Sequence, residues 1–221
     1  MNISKDTLNI LQNFSEINPS LVFNEGSEVK TMSPLKNILA KSKVTESFPK
    51  TFGIYDLTRF VGNIQDMGSP DFDFNENYVC LKSNEDKLKY FYCDTSIIAY
   101  PEKDIVLKDI NIEFSVSKAE FDKVIRYARS NGLSDFMIKG CSKSGKIIVS
   151  VFNKSSDTST DFSTVIGATD KNFKLFLKTE TIKLLSGDYD VKVSSEGVIY
   201  FKNQTIDLEY WVALEPDSSY E

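Results

Sequence analysis

SKAEFDKVIRYARSNG, residues Ser117 to Gly132, reads as one amphipathic helix with both ends marked. Ser117 offers a side-chain oxygen to an orphan helix N–H, Glu120 stands at the capping-box spacing, and Gly132 supplies the left-handed residue at the exit. At about 100° per residue, Phe121, Val124, Ile125 and Ala128 fall on one side, the stripe that packs on a sheet. Lys123, Arg126 and Ser130 lie opposite, with Lys118, Asp122 and Arg129 along one boundary. Two of the chain's three arginines are therefore on one short helix, in a protein whose formal net charge is -6.

Three other segments repeat this pattern of strand, polar cap, helix and further strands. NISKDTLNILQNFSEINPSLVF (2–23) has Ser4 as its cap and Pro19 after its end. FGIYDLTRFVGNIQDMGSPDFDF (52–74) has Asp56 as its cap and Gly68 past its end. FKLFLKTETIKLLSGDYDVKV (173–193) offers Thr179 as a cap and Gly187 as a stop. The faces follow: Leu8, Leu11 and Phe14 inward with Lys5, Asn9, Gln12 and Asn13 outward; Leu57, Phe60, Val61 and Ile64 inward with Arg59 outward. In the fourth helix Ile182 and Leu185 pack and Lys183 is exposed.

Between the helices lie short alternating runs bounded by turn residues, the chemistry of antiparallel hairpins. SLVF and SEVKTM flank NEG, and DFMIKG and KIIVSVF flank CSKSG. DFDF, NYVCLK and KLKYFYC follow the second helix; GDYDVKV, GVIYFK and IDLEYWVAL follow the fourth. One helix plus several strands thus recurs four times at a spacing of roughly 50–60 residues, which marks a repeat architecture. Between the second and third units DTSIIAYPEKDIVLKD, residues 94–109, has a proline, mixed charge and no period, and reads as a linker. Two similar α+β domains result, each with two helices on antiparallel sheets: residues 1–104, including most of the linker, and 105–221.

Composition narrows the chemistry. The chain has no histidine, which removes the commonest general base and metal ligand, and it has neither common phosphate-cradling glycine loop. Cys80, Cys93 and Cys141 are odd in number and scattered, so neither a disulfide framework nor a zinc site is expected. No enzyme activity, metal or cofactor is expected. The start, MNISKDTLNI, lacks a signal-peptide pattern, and no apolar run approaches a membrane span, so a soluble intracellular protein is the expectation.

The charge distribution carries the functional signal. All three arginines, Arg59, Arg126 and Arg129, lie on helices, and each helix turns a cation away from its buried face. Acids dominate elsewhere, in SPDFDFNEN, SNED and EPDSSYE. Cations confined to equivalent helices suit a phosphate backbone, bound without base reading. No base-reading motif and no aromatic stacking cluster is evident on these faces. Two rival readings are a virion structural or adaptor protein of β-rich domains and a carboxylate-based hydrolase.

With these features the sequence resembles the DNA sliding clamps, in particular the processivity clamps of T-even-like tailed phages, relatives of the proliferating-cell-nuclear-antigen type. The stretches that carry the resemblance are SKDTLNILQNFSEIN, YDLTRFVG, VIRYARSNGL followed by GKIIVSVFNK, LLSGDYDVKVSSEG and YWVALEPDS. They span nearly the whole chain, with residues 64–109 contributing least. The resemblance implies a head-to-tail homotrimer, a pseudo-sixfold ring lined by helices, acting in the cytoplasm of the infected bacterial host. It implies duplex DNA, bound without sequence preference, the replicative DNA polymerase and an ATP-dependent clamp loader as partners, and no membrane. It nominates Lys5, Arg59, Lys118, Lys123, Arg126, Arg129 and Lys183 as DNA-facing. It also implies an apolar pocket for partner tails, formed by Ile98, Tyr100 and Pro101 of the linker with Trp211, Ala213, Leu214 and Pro216.

Overall fold

In the computed structural model, residues 1–102, 105–156, 158 and 160–220 are described. The chain divides into two units, Met1–Asp104 and Ile105–Glu221.

The first unit runs α1 (Lys5–Ile17), β1 (Leu21–Phe23), β2 (Gly26–Met32), β3 (Ile38–Phe48), β4 (Phe52–Ile54), α2 (Leu57–Asp66), β5 (Asp71–Phe74), β6 (Tyr78–Ser83) and β7 (Asp86–Phe91). Its strands are antiparallel, in the orders β4-β1-β2-β3 and β5-β6-β7. Both helices start at the expected caps: Ser4 accepts from the Thr7 N–H and Asp56 from the Arg59 N–H. The core is aromatic, with Phe23 stacked on Phe52 at 4.8 Å between ring centres and Phe48 and Phe60 edge-on to Phe23.

Two expectations for α1 are corrected. Asn13 is buried and Leu8 only half-buried, while Thr7, Ile10, Leu11, Phe14 and Ile17 face the core. Helix α2 packs beside α1, so the covered arc is wider than a sheet alone would cover. The long strand β3 was not legible in the sequence, because its core-facing side carries the polar residues Ser42 and Glu46. Glu46 is satisfied there: its carboxylate accepts from the Ser4 N–H and the Thr7 hydroxyl at the start of α1. Burial alone would raise this carboxyl, but those hydrogen bonds overcome it and hold it below the ordinary glutamate value.

The second unit runs β8 (Ile110–Val116), α3 (Lys118–Ser130), β9 (Asp135–Cys141), β10 (Lys146–Phe152), β11 (Phe162–Ala168), β12 (Phe173–Lys178), β13 (Tyr189–Ser194), β14 (Val198–Asn203), β15 (Leu208–Ala213) and β16 (Ser219–Tyr220). The strand orders are β11-β10-β9-β12-β16 and β15-β14-β13-β8. Phe121 and Val124 of α3 enter a core shared with Phe136, Ile138, Val149, Ile166, Ile182 and Phe201.

The fourth helix is corrected. Thr179–Thr181 forms only a 3-10 turn, without a side-chain cap, and the described residues hold three α-helices. The segment is too short to repay helix nucleation, and tertiary partners serve its backbone instead. The Leu185 N–H donates to the Tyr210 hydroxyl, and the Leu185 carbonyl accepts from the Tyr189 hydroxyl. The two glycines therefore differ in role. Gly132 takes φ +62 and ends α3, whereas Gly187 leaves room for Asn203, whose Nδ2 lies 2.4 Å from where a Cβ would stand.

The linker carries local structure as well. Thr95–Ile97 is a 3-10 turn capped by Asp94, and Ile98 is buried. The Ser194 hydroxyl donates to the Lys108 carbonyl at 2.6 Å.

Candidate nucleic-acid interface

Helix α3 is anchored on three sides. At its start Ser117 and Glu120 form a reciprocal capping box, and the Asp188 carboxylate accepts from the Lys118 N–H at 2.7 Å. Along one flank the Ser186 hydroxyl donates to Asp122 at 2.7 Å, tying the helix to the segment after the 3-10 turn. On the core side Phe121, Val124, Ile125 and Ala128 are buried, the four residues the periodicity selects. Rotation about the helix axis is therefore settled, and Lys118, Lys123, Arg126 and Arg129 are all exposed.

Among the described residues, none of these four cations has a carboxylate partner within ion-pair distance. Lysines of the strands behave differently: Lys178 pairs with Asp135 at 2.6 Å, Lys192 with Glu113 at 3.5 Å and Lys202 with Glu209 at 2.8 Å. A cation without a carboxylate partner loses no ion pair when it meets a phosphate. Helix α3 sets four cations against Glu120 and Asp122, a surplus of two positive charges.

The other helices contribute less than their repetition in the sequence suggests. Lys5 is exposed on α1, which also carries Asp6 and Glu16. Arg59 is exposed on α2 but lies 3.4 Å from its own cap, Asp56, in an exposed pair of little energetic weight. Lys183 is half-buried and engaged within the chain, not freely exposed as expected. The basic character is thus concentrated on α3.

One feature of the α3 face is absent from the sequence reading. Tyr127 stacks on Phe162 of β11, with ring centres 4.0 Å apart and planes within 4°, and Lys123 Nζ lies 5.4 Å from the Phe162 ring centre. An aromatic pair does flank the cations, and it holds Lys123 by a cation–π contact. β11 escaped detection because FSTVIGA does not alternate: its polar residues, Ser163 and Thr164, are adjacent, and it ends in the small residues Gly167 and Ala168.

The residues nominated for partner docking vary in exposure. In the first unit Ile98 and Pro101 are buried, and Tyr100 is half-buried with its hydroxyl accepting from Asn24. In the second, Trp211 is 8% exposed and packs against Tyr200, and its indole N–H has no acceptor among the described residues. Ala213 and Pro216 are exposed and Leu214 is half-buried.

Comparison with known proteins agrees with this architecture. The family described as gp45 sliding clamp, C terminal, matches residues 113–216. The sliding clamp of Vibrio phage KVP40 is 27% identical over 221 residues, covering 97% of this chain and 99% of that protein. The sliding clamp of Escherichia phage RB69 is 24% identical, with both chains fully covered. Among solved structures, the proliferating cell nuclear antigen of A. fulgidus superposes with a TM-score of 0.71 at 12% identity, over 96% of each chain. Fold, family match and full-length relatives agree: the chain has the sliding-clamp fold, its residues 113–216 match the gp45 sliding clamp family, and over its full length it is similar to the sliding clamps of T4-like phages.

Proposed function

We propose that three copies close head to tail into a ring around duplex DNA and hold the replicative DNA polymerase on its template, without catalysing a reaction themselves. The observation that carries this reading is the set of exposed cations on α3 that lack carboxylate partners. Such cations bind phosphates by releasing counterions and read no bases. Contacts of that kind exchange readily, which lets a topologically linked ring slide.

Ring closure finds support in the sheet edges. β7 ends the three-stranded sheet of the first unit and carries Phe91, 66% exposed. β11 ends the five-stranded sheet of the second and carries Val165, 48% exposed. An edge with apolar side chains and unpaired backbone groups is a template for another chain. Pairing β7 of one copy with β11 of the next is a head-to-tail contact, the type that closes into rings. Opening falls to an ATP-driven loader, since the sequence has no phosphate-cradling loop of its own. The site of action is the cytoplasm of the infected bacterial host.

The test is retention on DNA. Loaded protein stays on closed circular duplex and runs off the same circle once it is linearised. Lys123→Glu with Arg126→Glu lowers polymerase stimulation at least about tenfold, whereas Lys5→Ala with Arg59→Ala changes it by less than about threefold. Equal retention on circular and linear DNA overturns the encircling ring. The virion-protein reading is not favoured by the comparisons; it requires the charge reversal to spare DNA synthesis.

A further inference from the structure

Cross-strand register exposes an electrostatic imbalance on the sheet face that points away from α3. β9 and β12 pair so that Lys139 stands directly opposite Lys174. Like charges in that position repel and destabilise a sheet. The same chain shows how it otherwise handles the problem. Lys30 also stands opposite Lys41, and Glu28 bridges the two at 2.7 and 3.0 Å. Lys82 stands opposite Lys87, and Asp73 binds Lys82 at 2.6 Å. Among the described residues, no carboxylate lies within ion-pair distance of Lys139 or Lys174.

The surroundings add to the positive field. Lys146 stands opposite Cys141 on β10, and Lys143 lies in the turn that joins β9 to β10. Neither has an ion-pair partner among the described residues. Lys139, Cys141, Asn172, Lys174 and Ser219 line an open groove of about 280 Å³. Asn172 already uses its Oδ1, which accepts from the Ser142 N–H and hydroxyl at 3.0 Å each, leaving the amide N–H2 as a donor. The Cys141 thiol is held below the ordinary cysteine value, first by hydrogen bonding with Ser144, with the Lys139 charge contributing.

Duplex DNA at α3 does not reach this groove. Phe136, Ile138 and Val149, at alternate strand positions, point with Phe121 and Val124 into the core, so Lys139 and Lys174 lie on the opposite face of that sheet. The neighbouring strand β16 is the edge of the sheet, and an extended segment has free backbone groups there to pair with.

We propose that this groove is a docking site for an acidic, extended segment of a partner protein, with one of its carboxylates bridging Lys139 and Lys174 as Glu28 bridges Lys30 and Lys41. The partner would supply the counter-charge that the described residues omit. The site is separate from α3 and does not depend on ring closure.

The test uses a short labelled peptide of alternating Glu and Ser, followed by fluorescence anisotropy. Wild type binds it, Lys139→Ala with Lys174→Ala weakens binding about tenfold or more, and Lys139→Arg with Lys174→Arg retains it. Lys174→Glu also abolishes binding while raising Tm by about 1–3 °C, because it removes the repulsion. That stability gain coupled to a loss of binding separates a docking site from a structural role. Binding unchanged in the double alanine variant, or no binding by wild type, overturns the proposal. So does an equal loss of duplex DNA binding, which makes the patch a nucleic-acid surface. So does tighter peptide binding by Glu221→Ala, which assigns the groove to Glu221 of the same chain.

Discussion

At the scale of single residues, the buried carboxylates are the most demanding groups in the protein. Asp135 is 6% exposed and would be raised by burial alone. The Lys154 N–H, the Lys178 ammonium and the Ser134 hydroxyl all donate to it and together hold its carboxyl below the ordinary aspartate value. A depressed folded-state pKa contributes stability that is present above the unfolded value and lost as pH falls through the folded one. Stability should therefore decline as the medium is acidified below about pH 4. Asp135→Ala should cost about 1–3 kcal/mol at neutral pH by leaving the Lys154 N–H unpaired, with little added by the half-exposed Lys178 or by the Ser134 hydroxyl, which keeps Asn153 as a partner. Urea denaturation of both proteins across a pH series checks this: the difference between them should shrink on acidification. Asp135 is also a residue whose importance the sequence conceals, since two of its three partners are 19 and 43 positions away.

At the scale of elements, the contrast between α3 and the segment after Thr179–Thr181 is instructive. Both are preceded by a strand and followed by glycine, and both carry apolar residues at helical spacing. Only α3 has a reciprocal cap and enough residues to propagate. The shorter segment is held by tyrosines instead. Tyr189 and Tyr210 are fully buried, and burial pushes the Tyr189 phenol up to about 12. Tyr210→Phe should remove the acceptor for the Leu185 N–H and cost about 1 kcal/mol. The same change should leave the helical circular dichroism signal unaltered, because no α-helix forms there. Thermal unfolding and far-UV spectra of the variant check both statements. A drop in helical signal would show that the segment is helical in solution.

At the scale of the whole molecule, the assembly is the property most open to direct measurement. One chain weighs 25.0 kDa, and light scattering across a dilution series should give about three times that mass at high concentration. Phe91→Asp or Val165→Lys places a charge on an exposed edge strand and should shift the equilibrium to monomer, with secondary structure unchanged. Mass that stays at one chain for wild type at every concentration would end the trimer proposal. Mass unaffected by either substitution would instead move the interface to other edges.

How much of this was legible in advance follows from the range of each interaction. Caps, stripes and turns are encoded within a few residues, so Ser4, Asp56, Ser117 and Gly132 announced the three helices, and the buried faces of α2 and α3 followed from periodicity. The strands β9, β10, β13 and β14 were visible for the same reason. The sequence by itself therefore determined the α+β architecture, the clamp resemblance and the outward face of α3. Only the tertiary structure decided that Asn13 and Glu46 are buried, that Tyr127 meets Phe162, and that tyrosines replace a fourth helix. It alone decided that Lys139 stands opposite Lys174, with no carboxylate within ion-pair distance among the described residues. Those facts depend on which distant strands and helices become neighbours, and cross-strand register is a property of the packed chain that no local run of residues carries.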